Sequence, residues 1–499
     1  MSGYAELREV LGEISDLGSA VALLWWDERT KMPPGGAAAR AEHAATLARV
    51  IHERLASDRL GRLLDRARSE VDGREDGDEA AVIRVAVREW EKARRVPASL
   101  RAEIARAESI SEHAWLEARA SANFAAMLPH LERLLDLKRR YVDCFDADHP
   151  YDALLDDFEP EASTATVRDI LDRLRSGLTP LVERVAAREP LDDSCLHGDF
   201  PIGRQRRLAA DLLSSLPLPE GGWRLDDTAH PFAEGISPTD IRLTTRYDPA
   251  YLGTALWAVI HEAGHGLYEA GMPAALARTP AGRPRSLGLH ESQSRLWENW
   301  IGRSRQYMTT LLPLLRQRFP ERFAGVEPEE LYRAANVVRR SLIRVEADEL
   351  TYNLHIVIRF ELEVELFEGR LAVAELPEAW NGRYADYLRL EVPDDGVGVL
   401  QDVHWAGGSF GYFPTYSLGN VIAAQLWRRA RAELADLDAQ LGAGELGPLY
   451  GWLADTLFPH AGKHAAAETV ERALGEPIDP GPLLAHLEAK YGELYGLEG

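Results

Sequence analysis

The feature that most constrains this chain is a pair of histidines, His261 and His265, in the segment Val-Ile-His-Glu-Ala-Gly-His-Gly-Leu-Tyr. Histidines four residues apart lie on one face of an α-helix, so both imidazoles can reach one metal ion. Glu262 lies beside them, placed to take a proton from a water that the metal activates. The apolar surroundings favour a buried helix over two solvent-exposed histidines, because buried imidazoles need partners. The segment therefore predicts a catalytic metal site inside a cleft.

Flanking residues predict where this helix begins and ends. Asp248 can accept hydrogen bonds from the free amides of the first turn, and Pro249 suits the first helical position. Gly271 suits the end of a helix. We therefore expect one continuous helix over residues 248–271.

The third protein ligand is less closely determined. A third histidine six residues after the second is absent, because position 271 is glycine. A carboxylate is the common alternative. Glu269 lies on the same helix as both histidines, and three ligands from successive turns of one straight helix cannot surround an ion. Glu291 and Glu298 lie seven residues apart on nearly one face of the next helix, so spacing does not choose between them.

Beyond the histidine segment, the sequence resembles the M32 metallocarboxypeptidase family in several motifs, in family order and without departure at any motif position. These are Trp25-Trp26-Asp27 with Met32-Pro33-Pro34-Gly35-Gly36, His230-Pro231-Phe232, Asp240-Ile241-Arg242-Leu243-Thr244, His290-Glu291-Ser292-Gln293, Ile343-Arg344-Val345-Glu346-Ala347-Asp348 and Gly398-Val399-Leu400-Gln401-Asp402-Val403-His404-Trp405. The resemblance implies that Glu291 is the third metal ligand. It also implies a zinc ion and a homodimer; cobalt or manganese would suit the same ligands.

Candidates for substrate binding follow from these motifs and from residue chemistry. A free C-terminal carboxylate is best bound by a planar arginine, and the motifs single out Arg344 and Arg242. Arg344 has an alternative as the helical partner of Asp348 four residues later, and Arg242 could close the groove's end or pair with an acid. Tyr412 and His404 are candidates for a second donor to the oxyanion that forms at the scissile carbonyl.

Further polar residues of the motifs are expected to support these groups rather than to take part in the chemistry. They are Asp348, Gln401, Asp402 and His230. We therefore expect a metal-dependent carboxypeptidase that acts on peptides with a free C-terminus, with Glu262 as general base. One alternative is a zinc oligoendopeptidase or dipeptidase that needs no free carboxylate. Another is a catalytically silent, metal-stabilised binding protein.

Hydrophobic periodicity predicts a mainly α fold. Alternating side chains occur only at residues 223–225 and 241–247, which predicts a small β-sheet beside the metal helix; its edge could bind an extended peptide. We expect one large helical domain over residues 1–499 with a deep active-site groove. Residues 290–318 and 330–367 are predicted as long helices. By the resemblance, residues 1–140 form a helical wall or lid, and residues 220–420 carry the metal and substrate site.

Composition excludes several functions. The formal net charge of −23 argues against nucleic acid and anionic membranes as partners. It also makes long-range attraction of an anionic peptide terminus unfavourable, so a carboxylate pocket must be built locally. Only two cysteines are present, Cys144 and Cys195, which favours a reducing cytoplasm over a disulfide framework. No apolar run approaches the ~20 residues of a membrane span.

Overall fold

Helices dominate the computed structural model, which describes residues 2–71, 76–460 and 462–497. The first half contains α1 (Gly3–Thr30), α2 (Ala37–Leu55), α3 (Asp58–Glu70), α4 (Asp78–Arg95), α5 (Ala98–Ala120), α6 (Phe124–Val142), α7 (Asp152–Leu155), α8 (Thr164–Ala186), α9 (Ile202–Ser215) and α10 (Gly253–Ala270). The second half contains α11 (Leu287–Arg295), α12 (Met308–Arg318), α13 (Pro320–Phe323), α14 (Pro328–Ala335), α15 (Tyr352–Phe367), α16 (Leu376–Arg383), α17 (Pro414–Glu433), α18 (Leu437–Ala443), α19 (Gly447–Thr456), α20 (Ala466–Leu474) and α21 (Gly481–Tyr495). The prediction of a mainly helical fold with a small sheet is confirmed.

The buried apolar residues form a large core and a small one. The large core runs from α5 to α21 and surrounds α10, α11, α15 and α17. The small core joins α1, α3 and α4, and Leu276 and Ala281 are buried in it as well. Both residues lie in the segment 271–286, which joins α10 to α11. Arg278 of that segment also pairs with Asp16 of α1, so the segment ties the N-terminal helices to the metal helices.

A three-stranded sheet comes directly before α10. Its strands are β1 (Trp223–Asp227), β2 (Ala233–Ser237) and β3 (Asp240–Thr245), in the order β1-β3-β2. β1 runs parallel to β3, and β2 runs antiparallel to it. The sheet packs on α10 at Gly266, where a Cβ would come within 2.8 Å of Ile241 Cγ2. The sequence pattern found β1 and β3, and it missed β2, which has glycine at its centre.

The metal helix begins later than predicted. Asp248 does not cap it; its carboxylate accepts a hydrogen bond from the Ala250 amide (2.8 Å). The carbonyls of Pro249 and Ala250 accept hydrogen bonds from the amides of Phe200 and Gly198. These contacts hold residues 248–251 outside the helix, so α10 starts at Gly253. The predicted end, before Gly271, is correct.

The predicted long helix over residues 330–367 is wrong. α14 ends at Ala335 and α15 starts at Tyr352, with a short 3₁₀ turn at Arg344–Glu346 between them. Tertiary contacts break the helix, because the Arg344 amide donates to Gln401 Oε1 (2.9 Å) instead of to a helical carbonyl. The predicted helix over 290–318 is likewise interrupted, by the π-helical segment Leu296–Gly302 and a turn.

No helix within residues 2–71, 76–460 and 462–497 combines the length and the apolar character that crossing a membrane requires.

Candidate metal centre

Three side chains suited to metal binding meet where α10 packs on α11. They are His261 and His265 of α10 and Glu291 of α11, and one ligand atom from each lies within 4.8 Å of the others. Glu291 Oε2 is 3.5 Å from His265 Nε2 and 3.8 Å from His261 Nε2. Two imidazole nitrogens and one carboxylate oxygen form a set that suits a divalent ion and leaves positions open for water or substrate. The residues present therefore fit a catalytic metal.

Glycines allow the helices that carry these residues to approach closely. A Cβ on Gly264 of α10 would lie 2.7 Å from the Gln293 carbonyl oxygen of α11. A Cβ on Gly419 of α17 would lie 2.6 Å from Glu291 Cγ. Glu291 is thus held between two helices whose close contact leaves no room for any larger residue at these positions.

In each histidine, the second ring nitrogen donates a hydrogen bond to a fixed acceptor. His261 Nδ1 lies 2.9 Å from Glu298 Oε2, and His265 Nδ1 lies 3.0 Å from the His290 carbonyl oxygen. With Nδ1 protonated in each ring, Nε2 presents its lone pair towards Glu291. Spacing left Glu291 and Glu298 as alternative third ligands. The structure places them differently, because Glu298 contacts Nδ1 of His261 and Glu291 faces Nε2. Glu298 lies in the π-helical segment, where α-helical periodicity does not apply.

Two arginines hold the carboxylates of the centre in place. Arg295 Nε donates to Glu291 Oε1 (2.7 Å), which leaves Oε2 facing the histidines. Arg303 donates to Glu298 Oε1 (2.8 Å). Burial opposes ionisation of Glu291, but Arg295 and the histidines hold its pKa well below the usual range. Burial likewise opposes ionisation of Glu298, yet Arg303, His261 and Arg295 bring its pKa down to about 2.

Glu262 is a buried carboxylate next to the metal-ligand set, with 6% of its surface exposed. Burial raises the pKa of Glu262 to about 7; His261 opposes this shift and Glu291 adds to it. Unlike Glu291 and Glu298, Glu262 makes no ion pair with the described part of the chain. It is therefore free to exchange a proton with a small molecule held beside the histidines.

A second buried cluster surrounds Arg344. Its guanidinium donates to Asp402 Oδ1 through Nη2 (2.8 Å) and to the Tyr352 hydroxyl through Nη1 (3.0 Å). Asp402 also accepts from Arg359 through Oδ2 (2.7 Å). Gln401 accepts from the Arg344 amide and from Arg359. One carboxylate thus serves two guanidiniums, and the arginines retain one positive charge that Asp402 does not neutralise.

The two clusters are joined. Arg295, which contacts Glu291, lies over the Tyr352 ring with its guanidinium carbon 4.4 Å from the ring centre. Tyr352 in turn contacts Arg344. On the other side, the Tyr412 ring packs 5.1 Å from His404, and Glu291 acts electrostatically on the Tyr412 hydroxyl. The metal-ligand set, the arginine cluster and the loop of residues 404–412 therefore form one continuous site.

Other predicted residues lie outside this arrangement. Arg242 is on β3 and makes a two-point ion pair with Asp240 (2.6 and 2.9 Å). His230 is exposed in the turn after β1. Asp348 accepts hydrogen bonds from the amides of Arg339, Leu350 and Thr351. The alternative in which Asp348 pairs with Arg344 along a helix is therefore wrong.

Comparison with known proteins identifies the family. Residues 6–491 match the family described as carboxypeptidase Taq (M32) metallopeptidase. The chain belongs to the M32 metallopeptidases. Thermostable carboxypeptidase 1 of Thermus thermophilus is 41% identical over 511 residues, 99% of each chain, and carboxypeptidase 1 of Bacillus subtilis is 38% identical over 493 residues, 98% of each chain. The crystal structure of the M32 carboxypeptidase from Deinococcus radiodurans is similar with a TM-score of 0.95 at 39% identity, covering 99% of this chain and 100% of that one.

M32 membership confirms the resemblance noted from the motifs. The chain is a peptide hydrolase of the carboxypeptidase class in a family that depends on a metal. Sequence reasoning missed Arg295 and the contact of Glu298 with His261. Arg295 had a usable signal, because it follows Glu291 by four residues and helical residues at that spacing can pair.

Glu298→Ala in this M32 chain is expected to weaken metal binding by about 10–100-fold, the usual effect of removing the partner of a metal-binding histidine. The loss frees His261 to rotate and leaves Arg303 without its carboxylate. Competition with a chromophoric chelator would measure the dissociation constant. Glu349→Gln is the matched control, because Glu349 is also a nearly buried, ion-paired glutamate, with Lys490 at 2.7 Å. Equal affinity for Glu298→Ala and the unchanged protein would contradict the prediction.

Proposed function

We propose that this chain removes the C-terminal residue from peptides that end in a free carboxylate, by metal-assisted attack of water on the last peptide bond. The observation that carries the proposal is the set of His261, His265 and Glu291 with the buried carboxylate of Glu262 beside it, which makes no ion pair with the described residues. A purely structural metal site has no use for such a base. A catalytic site needs one.

The proposed metal is zinc, held by His261, His265 and Glu291, with cobalt or manganese as substitutes. When bound, the ion polarises the scissile carbonyl and makes water a stronger nucleophile. Side chains of this protein position the ligands and transfer the proton. Glu291 keeps one oxygen on Arg295, which fixes the other oxygen towards the histidines.

Glu262 is the proposed general base. It accepts a proton from the attacking water and then transfers that proton to the nitrogen of the departing amino acid. A pKa near neutrality suits both steps, because the same group must take up and release a proton within one turnover.

Arg344 is the proposed binding group for the C-terminal carboxylate. It shares Asp402 with Arg359, so an incoming carboxylate would neutralise a buried positive charge and would not have to displace a full ion pair. Arg242 is the weaker candidate, because the Nε–Nη2 edge of its guanidinium pairs with both oxygens of Asp240, whereas Arg344 shares the carboxylate of Asp402 with Arg359. Gln401 and Asp402 support Arg344 directly.

The hydroxyl of Tyr412 and the imidazole of His404 are proposed as donors to the oxyanion. Burial raises the pKa of Tyr412, so its hydroxyl keeps its proton. Burial, together with the charge of Arg344, lowers the pKa of His404 to about 4, so the ring is neutral at pH 7 and still carries one N–H.

The test compares peptides that differ only at the C-terminus. Each peptide is offered as a free acid and as an amide, with and without a chelator, and the products are identified by mass spectrometry. We expect stepwise C-terminal shortening of the free acids only, abolished by the chelator and restored by added metal. Internal cleavage, or equal cleavage of the amides, would favour the oligoendopeptidase or dipeptidase alternative and contradict the proposal.

Arg344→Ala is expected to lower kcat/KM for a free-acid peptide by about 100-fold, since losing a charged hydrogen-bonding partner costs a few kcal/mol of transition-state binding. Arg242→Ala is the matched control, because it removes the other candidate arginine. If Arg344 binds the carboxylate, only Arg344→Ala reduces the preference for the free acid over the amide. A loss of that preference in Arg242→Ala alone would transfer the role to Arg242.

We also propose that the enzyme is a cytoplasmic homodimer. Cys144 and Cys195 are both free, which suits a reducing compartment, and the dimer is inferred from family resemblance alone. A sedimentation mass equal to that of one 55.5 kDa chain would contradict the dimer.

A further inference from the structure

Glu363 is a buried carboxylate on α15 that the reaction does not use directly. Its Oε1 accepts a hydrogen bond from Trp405 Nε1 (2.6 Å). Its Oε2 accepts from the Gly411 amide (2.9 Å) and from the Tyr151 hydroxyl (2.5 Å). Glu363 is fully buried, and its three donors are all neutral groups. Such a carboxylate is costly to keep in a protein interior unless every acceptor position is used.

Two of these donors belong to one loop and lie at its two ends. Trp405 directly follows His404, and Gly411 directly precedes Tyr412. One carboxylate therefore holds the chain immediately beside both proposed oxyanion donors. The rings of His404 and Tyr412 lie 5.1 Å apart, although seven residues separate them in the sequence.

Other contacts also hold this loop, including the hydrogen bond from the Ser409 amide to the His404 carbonyl (2.8 Å) and the packing of Phe410 on Phe367 (5.3 Å between ring centres), but Glu363 contacts both of its ends. At Gly411 the backbone has φ +91°, a conformation that other residues rarely adopt, and a Cβ there would lie 2.5 Å from the Leu154 carbonyl oxygen. Gly408 also has a positive φ, +68°. A loop with two such glycines has many accessible conformations, and contacts to a rigid element must select one. α15 is one such element, through Glu363 and Phe367.

The third donor fixes Glu363 itself. Tyr151 is fully buried, and its ring packs against Phe360 of the same helix at 5.6 Å. The Tyr151 hydroxyl therefore holds Oε2, the oxygen that also accepts from Gly411, by a contact from outside the loop.

We propose that Glu363 is a positioning residue for peptide hydrolysis, which sets the distance between His404 and Tyr412 by holding both ends of the loop between them. The role rests on the function proposed above. Glu363 touches neither substrate nor metal, and it acts through the loop.

Glu363→Gln tests this directly, because the amide keeps the shape of the side chain but has only one accepting oxygen. Its NH₂ group must face either Trp405 or the pair formed by Tyr151 and Gly411, so one end of the loop is released. Displacement of a reacting group by about 1 Å can cost about 100-fold in rate. We expect kcat for a free-acid peptide to fall about 10–100-fold, with KM changed less than threefold and metal content unchanged.

Glu361→Gln is the matched control. Glu361 lies two residues away on the same helix, and its side chain faces Arg383 and Tyr387 on the other side of α15. We expect this variant to keep kcat within threefold, with a similar thermal midpoint.

A second readout follows the loop without any reaction. In protein labelled with ¹⁵N-tryptophan, the Trp405 indole N–H signal is assigned from its absence in Trp405→Phe. We expect Glu363→Gln to shift this signal and Glu361→Gln to leave it in place. If Glu363→Gln does not fold, Trp405→Phe takes its place in the kinetic assay, because it removes one end of the same contact.

The outcomes separate this inference from the proposed function. An unshifted indole signal, or a shifted one with unchanged kcat, would overturn the positioning role, as would a loss of kcat in proportion to lost metal. If the unchanged protein shortens no free-acid peptide, the proposed function fails, whereas the indole experiment still decides whether Glu363 holds the loop.

Discussion

Glu262→Gln is expected to lower kcat by about 10³–10⁴-fold while one metal ion per chain stays bound, since general acid–base groups contribute up to about 10⁴-fold. The amide fills the same volume and cannot accept a proton from water. Glu262 is buried and makes no ion pair with the described residues, so removing its charge costs the fold little. Initial rates on a free-acid peptide, together with metal analysis of the same sample, measure both parts of the prediction.

Glu269→Gln is the control for this experiment. Glu269 is also on α10 and contacts His290 (2.7 Å), so the same change removes a charge from the same helix. We expect it to lose no more than about 10–100-fold in activity, the scale for a group that supports a metal site without reacting. Full activity of Glu262→Gln would remove Glu262 from the mechanism.

Glu291→Gln is expected to lose the metal at concentrations that saturate the unchanged protein, and activity falls to background with it. Two histidines alone leave the ion without its charged ligand, and the freed Arg295 places a positive charge near the site. Excess metal should restore part of the activity, which distinguishes this variant from Glu262→Gln. Metal titration followed by activity provides the measurement.

Glu298→Ala separates the two glutamates that sequence spacing treated alike. If Glu291 is the ligand and Glu298 only orients His261, Glu291→Gln must weaken metal binding far more than Glu298→Ala. The reverse order would exchange their roles.

Much of the site follows from local sequence patterns. The approach of His261 and His265 to one ion follows from helical spacing alone, and β1 and β3 follow from alternation. The choice of Glu291 over Glu298 required the family motif. Residue spacing does not reveal the π-helical segment that turns Glu298 towards His261.

Other parts depend on contacts distant in sequence. The sequence around Arg344 has the periodicity of a helix, but hydrogen bonds to Gln401 and Asp402 outweigh that local preference. β2 was missed because its central residue is Gly235, where a Cβ would come within 1.8 Å of Glu269 Oε2. Glycine there reflects packing against α10, which sequence alone does not display.

Glu363 did have a sequence signal. His355, Arg359 and Glu363 recur every four residues on a largely apolar helix, and all three are fully buried. A polar stripe on an apolar helix indicates buried hydrogen bonds, because such groups are kept only when they are paired. The stripe predicts that partners exist, and only the folded chain identifies them.

The central claim is that a single metal ion at His261, His265 and Glu291 drives hydrolysis. Metal-free protein titrated with zinc, with activity and bound metal measured at every point, tests it most directly. We expect no activity without metal, then a linear rise in activity that ends at one ion per chain. Activity that persists in fully metal-free protein, or that rises only with a second ion, would contradict it.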